Sequence, residues 1–156
     1  MAVAAAPYGR CGGAALRGVP LALQNKRNEC GLACLAMVVG FYDRTVSLAD
    51  LRRRFPGFEQ GATLKDLVEC ARALGFASRG LRAELDGLKQ VRKPVILHWN
   101  MDHFVVLVSV NRRGCIIHDP GQGKVLCLWS EVNQKFTGVL LELWRERTQP
   151  DLFDSR

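Results

Sequence analysis

The chain has 156 residues, 48% of them hydrophobic, with a formal charge of +7 and a pI near 9.4. A domain of that size buries about two-thirds of the surface its unfolded chain exposes, so it needs no disulfide or metal staple. No window holds the 18 or more unbroken apolar residues of a membrane span, and positive charge by itself leaves nucleic acid, an acidic partner and an anionic membrane surface equally open.

The N-terminal stretch MAVAAAPYGRCGGAALRGVPLAL is rich in Ala and Gly, with only Arg10 and Arg17 as charges. It lacks the basic start and sustained apolar region of a signal peptide, and reads as a flexible segment over residues 1–18. Residues 24–42, QNKRNECGLACLAMVVGFY, begin polar and then carry no charge until Asp43. A run that is apolar on every side, long enough for about three helical turns, predicts a core helix. Asn28 is its expected N-cap, which puts Glu29, Cys30 and Gly31 in the first turn among outward-pointing N–H groups. Cysteines at helix starts, near an imidazolium, ionise more readily than free thiols, and the thiolate is the nucleophile. A buried small hydrophobe is an equally good reading of Cys30 on this local signal.

Ser47 caps a short second helix ending near Phe55, where Pro56-Gly57 stops it. Its Leu48, Leu51 and Phe55 form an apolar face, and Arg52, Arg53 and Arg54 read as the solvated one. Thr63 and Asp66 make a capping-box start to LKDLVECARAL, a third helix stopped by Gly75. From Phe76 the period changes: a short extended segment, a helical turn over residues 85–91, and then the apolar runs PVILHW, HFVVLVSV and CIIHDP, joined by NMD and NRRG. Short turn-like connections predict an antiparallel meander. VLCLW follows, SEVNQKF is one more helical turn, and GVLLELW closes the sheet. Helices first and a sheet afterwards is an α+β fold, with the sheet packed on the Cys30 helix. The polar end ERTQPDLFDSR reads as a tail over residues 146–156. The six cysteines, Cys11, Cys30, Cys34, Cys70, Cys115 and Cys127, are too scattered for a secreted disulfide scaffold and read as reduced thiols.

A nucleophilic Cys30 needs a base, and the base an orienting acceptor. Of the three histidines, His103 is favoured, with Asp119 as its acceptor on the next strand. The two share a sheet face only if the turn around residues 111–114 has an odd loop or Gly114 sits in a bulge; a regular four-residue loop pairing Val110 with Cys115 puts them on opposite faces. His98 reads as a strand-end histidine hydrogen-bonded in the core, and His118, alternating with Asp119, should face the other way. Gln24, six residues before Cys30, is placed to offer an N–H to an oxyanion, with the Cys30 backbone N–H as second donor. Cys30 and Cys34 lie one helical turn apart, but they lack a second ligand pair of the kind structural zinc uses, so no metal and no cofactor is expected.

These residues, QNKRNECGLACLAMVVGFY with Gln24 six before the cysteine, LHWNMDHFVVLVSV and IIHDPGQG in that order, closely resemble the C39 family of cysteine peptidases. Its members are N-terminal domains of ABC transporters that export bacteriocins, and the likeness is to the colicin V type. The resemblance runs over residues 19–145 and implies a papain-like fold, cleavage of a leader peptide after a double-glycine site, and a position on the cytoplasmic side of the bacterial inner membrane. It implies Cys30 as nucleophile, His103 as general base, Asp119 as its orienting partner and Gln24 as the oxyanion-hole side chain. The implied partners are the leader peptide and the transporter's membrane and nucleotide-binding domains. No Walker motif occurs in the chain, which by itself is expected to be soluble, and no nucleic-acid partner is implied. Two other readings stay open: a leader-docking domain that does not cut, and a Cys-His-Asp acyltransferase or transglutaminase.

Overall fold

A computed structural model describes residues 18–58 and 60–145. The two segments expected to be flexible, up to residue 17 and from 146 onward, lie outside the described residues, as does Cys11. The elements run α1 (Cys30–Tyr42), α2 (Leu48–Arg54), α3 (Leu64–Ala73), β1 (Phe76–Arg82), a 3-10 turn (Leu85–Lys89), β2 (Val95–Trp99), β3 (His103–Val110), β4 (Gly114–Asp119), β5 (Gly123–Leu128), α4 (Trp129–Lys135) and β6 (Phe136–Arg145).

α1 is buried from Cys30 to Gly40, as a helix with no polar face must be. Leu35, Met37 and Val38 have no exposed surface, and each full burial of such a side chain contributes about 1.5 to 3 kcal/mol. The expected boundary is corrected by one residue: Glu29, not Asn28, is the N-cap, so Cys30 is the first helical residue. Glu29 has the weaker capping side chain, but it is held by bonds elsewhere, described below. α2 and α3 both begin with complete capping boxes, Ser47 with Asp50 and Thr63 with Asp66. Gly75, just past α3, has φ +86°, the left-handed stop that glycine allows.

The six strands form one antiparallel sheet in the order β1-β6-β2-β3-β4-β5. β2 to β5 are the expected meander. The last strand does not extend that meander at its edge; it inserts between β1 and β2, with Leu141 opposite both Gly80 and Ile96. Ile96, Phe104, Val106, Leu141 and Leu143 pack on α1, while Val95, Leu97, Val105, Leu107, Ile117 and Leu140 pack beneath Leu88 of the 3-10 turn and Val132 of α4. Burial on both faces is why β2 and β3 read as unbroken apolar runs without alternation.

The β3–β4 hairpin resolves the register question in an unexpected way. Val110 does pair with Cys115 across residues 111–114, the arrangement that would separate His103 from Asp119. The register then shifts: Ser109 pairs with Ile116 and Leu107 with Ile117, leaving Val108 as an extra residue in β3. The bulge lies at Val108 rather than Gly114, and it returns His103 and Asp119 to one face. Gly114 has a separate task, because a Cβ there would stand 1.9 Å from the Cys127 carbonyl oxygen.

Candidate active site

His103 opens β3 and Asp119 closes β4, so both lie at one end of the sheet. The turn that delivers His103 is tight: Asn100 and Met101 have φ of +52° and +69°, and the Asn100 N–H donates to the Lys135 carbonyl at 2.8 Å. Two consecutive left-handed residues suit a hairpin loop, and Asn tolerates that conformation better than most.

His103 Nε2 and Asp119 Oδ1 are 2.9 Å apart. A carboxylate only accepts, so the ring nitrogen donates, and Nδ1 is left for the other side of the ring. There the imidazole is hydrogen-bonded to the Cys30 side chain. The Asp119 bond first, and the Cys30 contact second, raise the His103 pKa to about 9 against the opposing effect of burial. For Asp119 burial pushes upward, but the His103 bond and the Gly121 N–H, which donates to Oδ1 at 2.8 Å, outweigh it and hold the carboxyl below its ordinary value. The structure therefore brings three of the four expected residues together, His103 bonded to Asp119 with Cys30 against the same ring. They lie on a cleft of about 840 Å³, with Cys30 on its wall among Asn28, Ala62, Trp99 and Gln122. Cys30 is only 9% exposed, yet it opens onto this cleft rather than into hydrocarbon.

Gln24 is held differently. Its backbone N–H donates to the Pro120 carbonyl at 2.9 Å, which ties the N-terminal arm to the turn after Asp119. Its Nε2 donates to the carbonyls of Lys26 and Arg27, each at 2.9 Å, and its Oε1 is buried without a hydrogen-bond partner. A Cβ on Gly121 would stand 3.4 Å from Asp119 Oδ1 and 3.8 Å from Gln24 Oε1, so the amide lies beside the carboxylate. Both of its N–H groups are committed to its own loop.

Two residues of this loop's support were not foreseen. The Glu29 carboxylate, immediately before Cys30, accepts from the Asn25 N–H at 2.8 Å and from Arg52 Nε and Nη2 at 2.5 and 3.0 Å. The Arg52 bond foremost brings its pKa down to about 2, against burial. Arg52 is thus corrected from a solvated cation to a fork clamping the residue before Cys30, while Arg53 and Arg54 remain exposed. An acid beside the cysteine and three arginines one helix later were the available signals; only the fold shows which arginine turns inward.

The other candidates take supporting positions. His98 Nδ1 lies 2.9 Å from Thr137 Oγ1, the core-bonded role expected of it. His118, on the face opposite to Asp119, has Nδ1 3.3 Å from the Pro20 carbonyl, and burial lowers its pKa. Cys34 is fully buried under Cys30, and desolvation pushes its thiol well up. Among the described residues no group of three or more His, Cys, Asp or Glu side chains is arranged to hold a metal ion, and no helix is long and apolar enough to cross a membrane.

Comparison with known proteins agrees with this geometry. The chain is 46% identical over 128 residues to the colicin V secretion/processing ATP-binding protein CvaB of Escherichia coli, an alignment covering 82% of this chain and 18% of that one. It spans about a fifth of the length of that curated relative. Among solved structures, a double glycine motif protease from an AMS/PCAT transporter, in complex with its leader peptide, superposes with a TM-score of 0.76 at 34% identity, covering 82% of this chain and 92% of that one. The peptidase domain of Streptococcus ComA, a bi-functional ABC transporter, gives 0.74 at 27% identity, with coverage of 82% and 99%. The helices packed on an antiparallel sheet are therefore the papain-like arrangement of these peptidase domains. With the model of the Peptidase C39 family matching residues 18–148, a stretch that includes every described residue, this protein belongs to that family.

Proposed function

We propose that the protein is a cysteine endopeptidase that removes a double-glycine leader from a bacteriocin or similar secreted peptide precursor, acting with the membrane and nucleotide-binding domains of an exporter. The observation that carries the reading is the unbroken contact from Cys30 through His103 to Asp119 on the wall of an open cleft. Asp119 fixes the ring through Nε2, so the other nitrogen exchanges a proton with the thiol. Sulfur attacks the carbonyl carbon of the second glycine, the imidazolium gives its proton to the leaving amine as the C–N bond breaks, and water, deprotonated by the same ring, hydrolyses the thioester. The Cys30 backbone N–H, in the first helical turn without an intrahelical acceptor, is one donor for the oxyanion. For Gln24 to be the second, its amide must leave the Lys26 or Arg27 carbonyl as substrate binds. The leader-peptide substrate follows the relatives: one solved neighbour holds a leader peptide, and CvaB is a secretion and processing protein.

The test is a synthetic peptide with a Gly-Gly leader, followed by mass. Cleavage after the second Gly is expected, lost in Cys30→Ala and retained in Cys34→Ala. Binding without cutting would indicate a docking domain, and an amine adduct in place of hydrolysis a transferase; either refutes the peptidase reading.

A further inference from the structure

The arm that brings Gln24 to the site, residues 18–24, has no regular secondary structure, so its own backbone does not hold it in place. Val19 and Ala22 pack against the α1 core, while Leu21 and Leu23 face outward. The Pro20 ring lies hard on α1, where a Cβ on Gly40 would stand 3.1 Å from its Cγ. Three hydrogen bonds fasten the arm. Arg44 donates to the Gly18 carbonyl at its start, His118 Nδ1 lies 3.3 Å from the Pro20 carbonyl, and the Gln24 N–H donates to the Pro120 carbonyl at 2.9 Å.

Two of these bonds come from one end of β4. His118, Asp119 and Pro120 follow one another in the chain, and each holds a different part of the site: His118 the arm at Pro20, Asp119 the His103 ring, and Pro120 the backbone of Gln24. Neighbouring side chains of a strand point to opposite faces, and β4 ends at Asp119, so the next carbonyl is not committed to the ladder. His118 is buried, where an imidazole without a partner is costly. Burial foremost, against the Pro20 carbonyl and with Lys124 across the hairpin, keeps its pKa below the ordinary value, so at pH 7 the ring is neutral and carries one N–H. A carbonyl only accepts, which puts that N–H on Nδ1.

We propose that His118 is a positioning residue for cleavage: its bond to the Pro20 carbonyl holds the arm where Gln24 can reach the oxyanion. The inference rests on the peptidase reading. With no substrate present, the Gln24 amide donates to the Lys26 and Arg27 carbonyls, so it must swing as substrate arrives. A swinging amide meets a fixed oxyanion only if the backbone behind it stays still. Pro120 pins that backbone at Gln24, and His118 pins it four residues earlier. An apolar residue at 118 leaves the Pro20 carbonyl without its donor and lets the arm drift.

The test sets His118→Leu against His118→Asn, whose amide nitrogen stands where Nδ1 does and donates to the same carbonyl. His118→Val repeats the apolar arm of the test with a residue suited to a strand. Leader-peptide cleavage by His118→Leu should fall about tenfold in kcat with KM within about twofold, less than the roughly 100-fold or more that loss of a whole oxyanion donor costs, and His118→Asn should stay within about threefold of the parent. In a Gln24→Ala background His118→Leu should add less than about twofold, because the group it positions is gone. Alkylation of Cys30 by iodoacetamide, followed by mass, should keep its rate within about twofold in every His118 variant, since other bonds hold the thiol and the His103 ring. Hydrogen exchange at the Gln24 amide should quicken by at least about tenfold in His118→Leu. Circular dichroism checks that each variant is folded. An unchanged kcat in His118→Leu, equal loss in His118→Asn, a loss that repeats in full without Gln24, or Cys30 alkylation slowing in step with cleavage would overturn the proposal. If the parent cuts no leader peptide, the peptidase reading itself has failed; exchange at the Gln24 amide then decides on the tether alone, and an unchanged rate in His118→Leu overturns it.

Discussion

Replacing Arg52 with methionine removes the fork that holds Glu29 against the start of α1 while keeping much of its packing volume. A carboxyl lowered from 4.5 to about 2 corresponds to a ceiling of about 3 kcal/mol, and because the Arg52 side chain keeps 34% of its surface in water, screening reduces this to about 2 kcal/mol. The carboxyl's pKa is depressed on folding, so its stabilisation is complete above the unfolded value of about 4.5 and fades as pH falls toward 2. Urea denaturation of the parent, Glu29→Gln, Arg52→Met and the double variant should give a coupling of about 2 kcal/mol at pH 7, dropping below half of that at pH 3. Leader cleavage by Arg52→Met at pH 7 should slow by about tenfold through kcat, because the freed Glu29 no longer anchors Asn25 and the loop that carries Gln24. A coupling below about 0.5 kcal/mol, or one that is the same at both pH values, would refute this account of the clamp.

The ring of His103 loses its proton near pH 9, so kcat/KM should fall as pH rises through about 9, where the acid for the leaving amine disappears. Asp119→Asn removes the first cause of that elevation and should move the alkaline limb down toward 6.5, measured as the pH profile of residual cleavage. The same proton favours the fold below about 6.5, and that contribution is lost as pH passes about 9, which a melting series across this window will show. Gly114→Ala forces a methyl to within 1.9 Å of the Cys127 carbonyl, in backbone that cannot yield cheaply, and should cost about 2 to 3 kcal/mol. For a domain of this size that is a fall in Tm of about 4 to 12 °C; a change under about 2 °C would contradict the close approach.

Much of the molecule was legible because its signals are local. A polar start followed by an all-round apolar run defines α1, and the Ser47 and Thr63 boxes define α2 and α3. What was not legible depends on distant chain. No property of GVLLELW shows that it will slip between β1 and β2, since nothing local to the run names the strands it will pair with. Amphipathic reasoning sends all three arginines of α2 outward, and only the nearness of Glu29 in space recruits Arg52. Cap preference ranks asparagine above glutamate, but the bonds fastening Glu29 to Asn25 and Arg52 set the boundary one residue later. For Gln24, spacing from the cysteine placed the residue near the site, whereas the direction of its amide is decided by two carbonyls in its own loop.

The surplus residue at Val108 makes the distance along the chain between His103 and Asp119 a matter of odd and even. Removing the surplus residue, or adding another within the paired stretches of β3 or β4, would turn the imidazole to the reverse side of the sheet from its carboxylate, whereas a residue taken up by the turn at 111–114 leaves the pairing as it is. Length changes inside the paired strands can survive only in matched pairs, so among natural or engineered versions of this hairpin the count between each strand's site residue and its last paired residue, and not the length of the turn, is a readout of whether the ring can still meet its acid.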